Sequence, residues 1–398
     1  MSVIEKTAGK KARSKDRGDL VIDSELEATR ADLLRSRHLP SKYYTSAEIY
    51  ELELEKIWRK DWIVVGREEE FPNPGDYRAM NVAGEPVVIT RAEDGTLNAF
   101  SNICAHRGTE VAYGEGNTKD FSCPYHAWLY GLKGELIKAT RTGPIEGFDL
   151  SNCRLPEVKL DTWGGFIFIN FDDSPPALTD YLDADTVRSE MDFLRMDELR
   201  LVDTYSFELD CNWKLIPENF IDVYHVEVLH KQTFGREFGT DDFEFGLTKY
   251  GWYGKYEAGT NAPDGEMFFD PIPWLDDHPS GELFAFTMFV RPHMMVFARQ
   301  DHVQPVICYP LGPERTLLKV FTLLPQSSLK ARAFPQKVRI LHDYIKQATG
   351  EDADMLVSMQ KNFKSSRFAP GPFTVLEKAI HHRLNRYLDI LQGDGETL

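Results

Sequence analysis

The chain has 398 residues, 42% hydrophobic and 27% charged, with a formal net charge of −17 at pH 7. That length supplies core for about two or three domains, and the negative charge makes nucleic acid and anionic membranes poor partners. Five cysteines without a dense framework fit a reducing cytoplasm, and no apolar run approaches the roughly 18 residues of a membrane span.

Residues 1–18 are rich in Lys and Arg and poor in apolar side chains, which predicts a disordered tail. Ser24-x-x-Glu27 predicts a capped helix to about Ser36, and Thr45-x-x-Glu48 a second one through Ile49, Leu52, Ile57 and Trp58. The period then changes. Residues 62–65, 86–90, 97–103 and 165–170 are short β-branched and aromatic runs between Gly and Pro turns, an all-β module of about 110 residues.

Within this module Cys104-Ala105-His106 is answered, after sixteen intervening residues, by Cys123-Pro124-Tyr125-His126. Such a pattern is a four-ligand metal framework placed in loops. Two thiolates and two imidazoles suit a Rieske [2Fe–2S] cluster, with both thiolates on one iron and both imidazoles on the other, or a tetrahedral zinc. The flanks, Arg107-Gly108 and Ala127-Trp128-Leu129-Tyr130 with Gly134 beyond, are not required by zinc and resemble the Rieske signature.

Pro175-Pro176 marks the exit from the module. Beyond it strands are expected at 205–209, 284–297, 304–309 and 317–324. Helices are expected at 217–230, at 335–347 and 352–364 on either side of Gly350, and from about Thr374 to Leu391. Residues 232–283, rich in Gly and aromatics without a clear period, are expected to form a lid, with Trp252 and Tyr253 on it. His225 and His230 are five apart. In a regular helix that rotates them about 140° from one another. Shared ligation therefore requires the helix to unwind or bulge before His230; otherwise the two are hydrogen-bonded core residues.

The string Glu218-Asn219-x-x-Asp222-x-Tyr224-His225-x4-His230, with Asn212-Trp213-Lys214 before it, resembles the mononuclear iron site of the Rieske non-haem iron oxygenases, in their catalytic α subunits. The resemblance runs from about residue 40 onward. It implies an α+β chain: an all-β Rieske domain joined to a mixed catalytic domain whose antiparallel sheet is flanked by helices, START/Bet v1-like. The boundaries expected are 1–40 for a tail and helix, 41–172 for a helix plus the Rieske domain, and 173–398 for the catalytic domain. It further implies a cluster on Cys104, His106, Cys123 and His126, and a mononuclear Fe(II) on His225, His230 and Asp352. The last rests on the family's Glu-Asp followed by Gln eight residues on, here Glu351-Asp352 and Gln360. Two imidazoles and one carboxylate hold a metal on one face and leave the other open to O2 and substrate. Asp222, one turn before His225, is placed to accept that ring's other N–H or to bridge two redox centres.

The activity implied is that of a terminal oxygenase component, a mono- or dioxygenase of small apolar, aromatic or N-alkyl compounds. Hydroxylation, N- or O-dealkylation and cis-dihydroxylation all belong to that class, and aromatic hydrocarbon catabolism is the expected setting. No Gly-x-Gly-x-x-Gly occurs, so electrons are expected from a separate ferredoxin and/or NAD(P)H reductase. A cytoplasmic homotrimer is implied, with or without a β subunit, in which Asp222 links His225 to a neighbour's cluster histidine, His126. The pocket is expected along 217–230 and at His293, Met295 and Phe297, alternate positions of one strand. Two other classes explain less. A Rieske-type electron carrier leaves the second His pair unused, and a zinc-stabilised binding protein would be colourless.

Overall fold

The computed structural model describes residue 21 and residues 23–143, 146–147, 149, 152–233, 244–257, 267–275 and 284–393. The N-terminal tail lies outside them, as do residues 234–243, 258–266 and 276–283 of the expected lid.

Two seven-stranded antiparallel sheets organise the chain. The first runs Ile63–Arg67, Phe166–Asn170, Glu157–Trp163, Leu97–Ser101, Glu85–Arg91, Asp76–Val82, Glu115–Asn117. A small sheet of Asp120–Ser122, Leu129–Gly131 and Leu136–Lys138 packs with it. Ile63–Arg67 and Phe166–Asn170 are buried at every position instead of alternating. Such a pattern marks strands covered on both faces, and here the second cover is the other sheet. Phe166 meets Phe321 edge-on at 5.5 Å, and the Tyr309 hydroxyl donates to the Val64 carbonyl at 2.7 Å.

The second sheet runs Leu199–Leu209, Arg315–Pro325, Val303–Gly312, Met294–Arg299, Phe284–Val290, Trp252–Glu257, Glu244–Leu247. It is a meander from Glu244 onward, with Leu199–Leu209 laid beside the last strand. The helices Leu215–Ile221, Phe334–Asn362 and Lys378–Gln392 pack with it.

Several expectations are corrected. Residues 334–362 form one helix of 29 residues that passes through Gly350. A glycine costs a helix only about 1 kcal/mol, less than the burial of Leu341, Ala348 and Leu356 on the same helix returns. Residues 284–297 are two strands, because Pro292 cannot donate to a ladder and the chain turns at residues 291–293. The second helix is capped by Ser46, whose hydroxyl accepts from Ile49 N, one residue later than Thr45; the first ends at Arg30. Trp252 is fully buried on the strand next to the sheet edge and stacks on Phe289, so it belongs to the core and not to a lid.

The helix Ala47–Glu53 is tied to the helices of the second sheet by one carboxylate. Glu53 accepts from Trp213 Nε1 at 2.8 Å, Lys214 Nζ at 2.6 Å and the Tyr387 hydroxyl at 2.5 Å, and the Glu53 and Lys214 side chains are both fully buried. Glu53→Ala would strand a buried ammonium. It is expected to cost about 3–5 kcal/mol in denaturant unfolding; a loss under about 1 kcal/mol would show that Lys214 finds another partner.

Candidate metal centres

Two loops of matching build carry the four Cys and His residues. In each, the cysteine amide donates to the carbonyl five residues on, Thr109 or Trp128, at 2.8 Å. Its carbonyl accepts from the amide four residues on, Gly108 or Ala127, at 2.9 Å. Those fourth residues adopt the left-handed conformation, φ 78° at Gly108 and 54° at Ala127. Both cysteines are buried, while His106 and His126 reach the surface with their Nδ1 atoms 3.1 Å apart.

The flanking residues have physical roles. The Tyr130 hydroxyl lies 3.2 Å from Cys104 Sγ, Trp128 stacks under His106 at 4.8 Å, and Arg107 donates to the Tyr125 hydroxyl at 3.1 Å. A hydrogen bond to a ligating sulfur is one of the terms that set a cluster's potential.

The donor set fits two irons better than one ion. Ligand atoms around a tetrahedral zinc lie about 3.3–3.8 Å apart. Among the described residues, the only group of three or more candidate ligands within 4.8 Å of one another is elsewhere. The four loop residues therefore do not close around one point, as a zinc would need, and a thiol pair set apart from an imidazole pair is the arrangement a [2Fe–2S] cluster takes. Purified protein is expected to be reddish-brown, and Cys104→Ser to bleach it with loss of the cluster's iron and labile sulfide. A colourless wild-type protein with stoichiometric zinc would overturn this.

The group that does converge is His225, His230 and Asp352. His225 Nε2 and His230 Nε2 are 3.3 Å apart, and Asp352 Oδ1 lies 3.3 Å and 3.0 Å from them. Cis ligands about 2.1 Å from an octahedral ion lie about 3.0 Å apart. The outer ring nitrogens face carboxylates: His225 Nδ1 is 3.1 Å from Asp222 Oδ2, at an angle short of a good hydrogen bond, and His230 Nδ1 is 2.8 Å from Glu351 Oε2. With Nδ1 as the donor, both Nε2 lone pairs point inward at a carboxylate oxygen. Three acceptors facing one another lack a cation. Burial works against charge on His225, yet Asp222 and Asp352 hold its imidazole up to about 9. A divalent ion would supply the positive charge, so the residues fit an iron.

The backbone makes this possible by breaking the expected helix. Leu215–Ile221 stops at Asp222, which is extended, and a short helix restarts at Val226–Leu229. The break thus falls ahead of the pair, and the unwinding expected between His225 and His230 is not found, since Val226–Leu229 is helical. Asp222 Oδ1 accepts from Tyr224 N at 2.8 Å, which fixes its carboxylate beside His225. Asp352 comes from the long helix, where Asn219 Nδ2 donates to its Oδ1 at 3.1 Å. Gln360 on that helix accepts from Asn212 N and donates to the Tyr44 carbonyl, pinning the helix in register. Asp354 is exposed and away from the group. Glu351 is a carboxylate partner of His230 that the sequence left among solvated charges.

The three residues open into a cavity of about 120 Å³, against the roughly 10–15 Å³ one water needs. Phe220 and Asn219 line it from the helix side, Tyr344 and Thr349 from the long helix, and Thr287, Phe297, Arg299 and Gln304 from the sheet. Of the three pocket residues expected, only Phe297 is there. His293 sits in the turn after Pro292, fully buried, where Nδ1 donates to the Cys308 carbonyl and Nε2 accepts from Val64 N. It joins the two domains, and burial holds its imidazole down to about 3. Met295 is packed in the core. For His293 the error was one of topology, since it is not on the strand; Met295 is on it and shares the face of Phe297 but lies outside the cavity lining.

A family model for the Rieske [2Fe–2S] domain matches residues 61–149, and one for the ring hydroxylating alpha subunit (catalytic domain) matches 196–393. The chain is 28% identical over 350 residues to the chloroplastic choline monooxygenase of Spinacia oleracea, covering 86% of this chain and 76% of that protein. It is 36% identical over 192 residues to the carnitine monooxygenase oxygenase subunit of Acinetobacter pittii, covering 48% and 52%. In fold it is similar to a solved quaternary ammonium Rieske monooxygenase, with a TM-score of 0.76 at 24% identity over 93% of this chain and 98% of that one. Two domains in this order, with a cluster framework in the first and an iron framework in the second, mean that the chain belongs to the Rieske non-haem iron oxygenases: it is a catalytic α subunit with a [2Fe–2S] cluster and a mononuclear iron, which takes electrons from separate transfer partners and uses O2 to oxidise a small organic substrate.

Proposed function

We propose that the chain is a monooxygenase of small N-alkyl compounds of the quaternary ammonium type, with iron on His225, His230 and Asp352 and the cluster on Cys104, His106, Cys123 and His126. The observation that carries the reading is the convergence of two Nε2 atoms and one carboxylate oxygen within 3.3 Å at the edge of an aromatic-walled cavity. Aromatic hydrocarbon catabolism, expected from the sequence, is set aside, because the named relatives act on choline and carnitine, both quaternary ammonium compounds. The rings of Phe220 and Tyr344, both on the helix side of the cavity, give faces on which a trialkylammonium group can rest through cation–π attraction.

When bound, the two metal groups supply electron storage at one site and activation of O2 at the other. The chain's own residues do the rest. Asp222 and Glu351 hold the imidazoles with Nε2 inward. Asn219 fixes the free rotation of the Asp352 carboxylate. Phe220, Phe297, Val306 and Val320 exclude water around the alkyl group. One oxygen atom enters a C–H bond next to nitrogen and the other leaves as water, with two electrons from the redox partner and two protons. The resulting N-hydroxyalkyl ammonium breaks its C–N bond to give an amine, an aldehyde and a proton.

The reading includes a ring of three subunits. In support, Asp222 lines a groove with the exposed Met355 and Met359, and the exposed Tyr224 and Val228 follow it closely along the chain. His106 and His126 reach the surface of the other domain. A head-to-tail contact joins two such different patches and closes into a ring when its rotation fits. Turnover with a generic reductase against quaternary ammonium and aromatic compounds, read by mass spectrometry, tests the function. Aldehyde release from the ammonium compounds is expected; hydroxylated aromatics alone would overturn it.

A further inference from the structure

We infer that Arg299, Gln304 and Thr287 form an anion subsite in the sheet wall of the cavity, so that the substrate carries a carboxylate as well as an N-alkyl group. This rests on the proposed substrate class and narrows it.

The sheet register puts these side chains together. Thr287 pairs with Phe297, and Phe297 pairs with Gln304, so the three form a row across three neighbouring strands. Arg299 is two residues beyond Phe297 and shares its face. All four line the cavity. The polar three are at least nine-tenths buried, at 2% exposed for Thr287, 7% for Arg299 and 7% for Gln304. Gln304 Nε2 and Thr287 Oγ1 have no hydrogen-bond partner within the protein.

Two buried groups without partners on one wall of a cavity cost about 1–3 kcal/mol each unless something binds them. A fully apolar substrate would leave that cost in place. The Gln304 amide is a donor, the Thr287 hydroxyl can donate, and the Arg299 guanidinium, although it also has a partner within the protein, is a permanent cation with five donors in a fork that matches a carboxylate. The wall therefore recognises an acceptor with negative charge. Across the cavity stand the rings of Phe220 and Tyr344, whose faces suit an ammonium group. A zwitterion with its ammonium end toward the helices and its carboxylate toward the sheet matches this polarity, and a simple amino alcohol matches half of it.

The test measures binding to the oxygen-free holoenzyme without a reductase, so turnover is not required. Glycine betaine, γ-butyrobetaine and carnitine are each compared with their methyl esters, and choline and butyrate are added. Wild type is expected to bind at least one of the acids roughly 10- to 100-fold more tightly than its ester. Arg299→Met and Gln304→Leu are expected to lose that preference, and Arg299→Lys to keep part of it. Iron content and ligand-free Tm report whether each variant is folded; where Arg299→Met is not, the wild-type comparison and Gln304→Leu decide. Equal binding of acids and esters by wild type overturns the subsite, whatever the enzyme turns over. If butyrate binds as well as γ-butyrobetaine and loses affinity in Arg299→Met, the subsite stands and the ammonium class proposed above falls.

Discussion

Asp352→Ala is expected to lose the mononuclear iron and all measurable turnover while the visible spectrum of the cluster stays unchanged. Asp352 Oδ1 is the atom that approaches both inward imidazole nitrogens. Removing it leaves two neutral ligands and takes away the charge that draws a divalent ion to the site. Changing a residue that merely orients a ligand already costs about 10- to 100-fold in metal affinity or activity, so loss of the ligand itself should exceed that. Glu351→Gln, which weakens the hold on His230, is expected within that smaller range. Asp354→Ala should leave iron and kcat within about twofold, because its side chain is exposed. The measurement is metal content after gel filtration beside the visible spectrum. Were Asp354→Ala the inactive variant, the third ligand would be misassigned.

How much of this was legible in the sequence follows from the range of the interactions involved. The cluster loops were, because each is a local turn whose ligands and left-handed fourth residue lie within five positions. A break was legible from spacing only as one between His225 and His230, where Val226–Leu229 is in fact helical. Its true place was not legible, since the break is set by the Asp222 carboxylate folding onto Tyr224 N and toward His225 Nδ1, a contact that spacing does not encode. His293 was read as a strand residue because apolar residues resume at Met294, although Arg291 and Pro292 stand directly before it. The cavity wall was hidden for a different reason. Thr287, Phe297 and Gln304 become neighbours only through cross-strand register, and the turn that sets that register was the one not seen. Two polar residues at alternating places in otherwise apolar strands were the available signal.

Asp222→Asn is expected to keep both metals and a reducible cluster, yet lose turnover by about 100-fold or more. The substitution preserves shape and removes charge. Asparagine can still accept from Tyr224 N, as Asp222 Oδ1 does now. What it cannot do is accept from His225 with one oxygen and from a second imidazole with the other, because one of its two polar atoms is a donor. The proposed second imidazole is His126 of a neighbouring subunit, since the cluster loops and the iron residues of one chain lie in separate domains and share no cavity lining. The competing account has Asp222 orient His225 within its own subunit only. Mixing tests the crossing between subunits on which the bridge depends. Cys104→Ser subunits lack a cluster but keep Asp222 and the iron residues; Asp222→Asn subunits keep a cluster but lack the bridge. Each alone is expected to be inactive. If electrons cross between subunits, mixed rings regain activity where the cluster of an Asp222→Asn subunit faces the intact Asp222 of a Cys104→Ser neighbour. If they stay within one subunit, no mixture can recover, because neither chain then has both a cluster and a bridge. An active enzyme that is strictly monomeric in solution would rule out the crossing altogether.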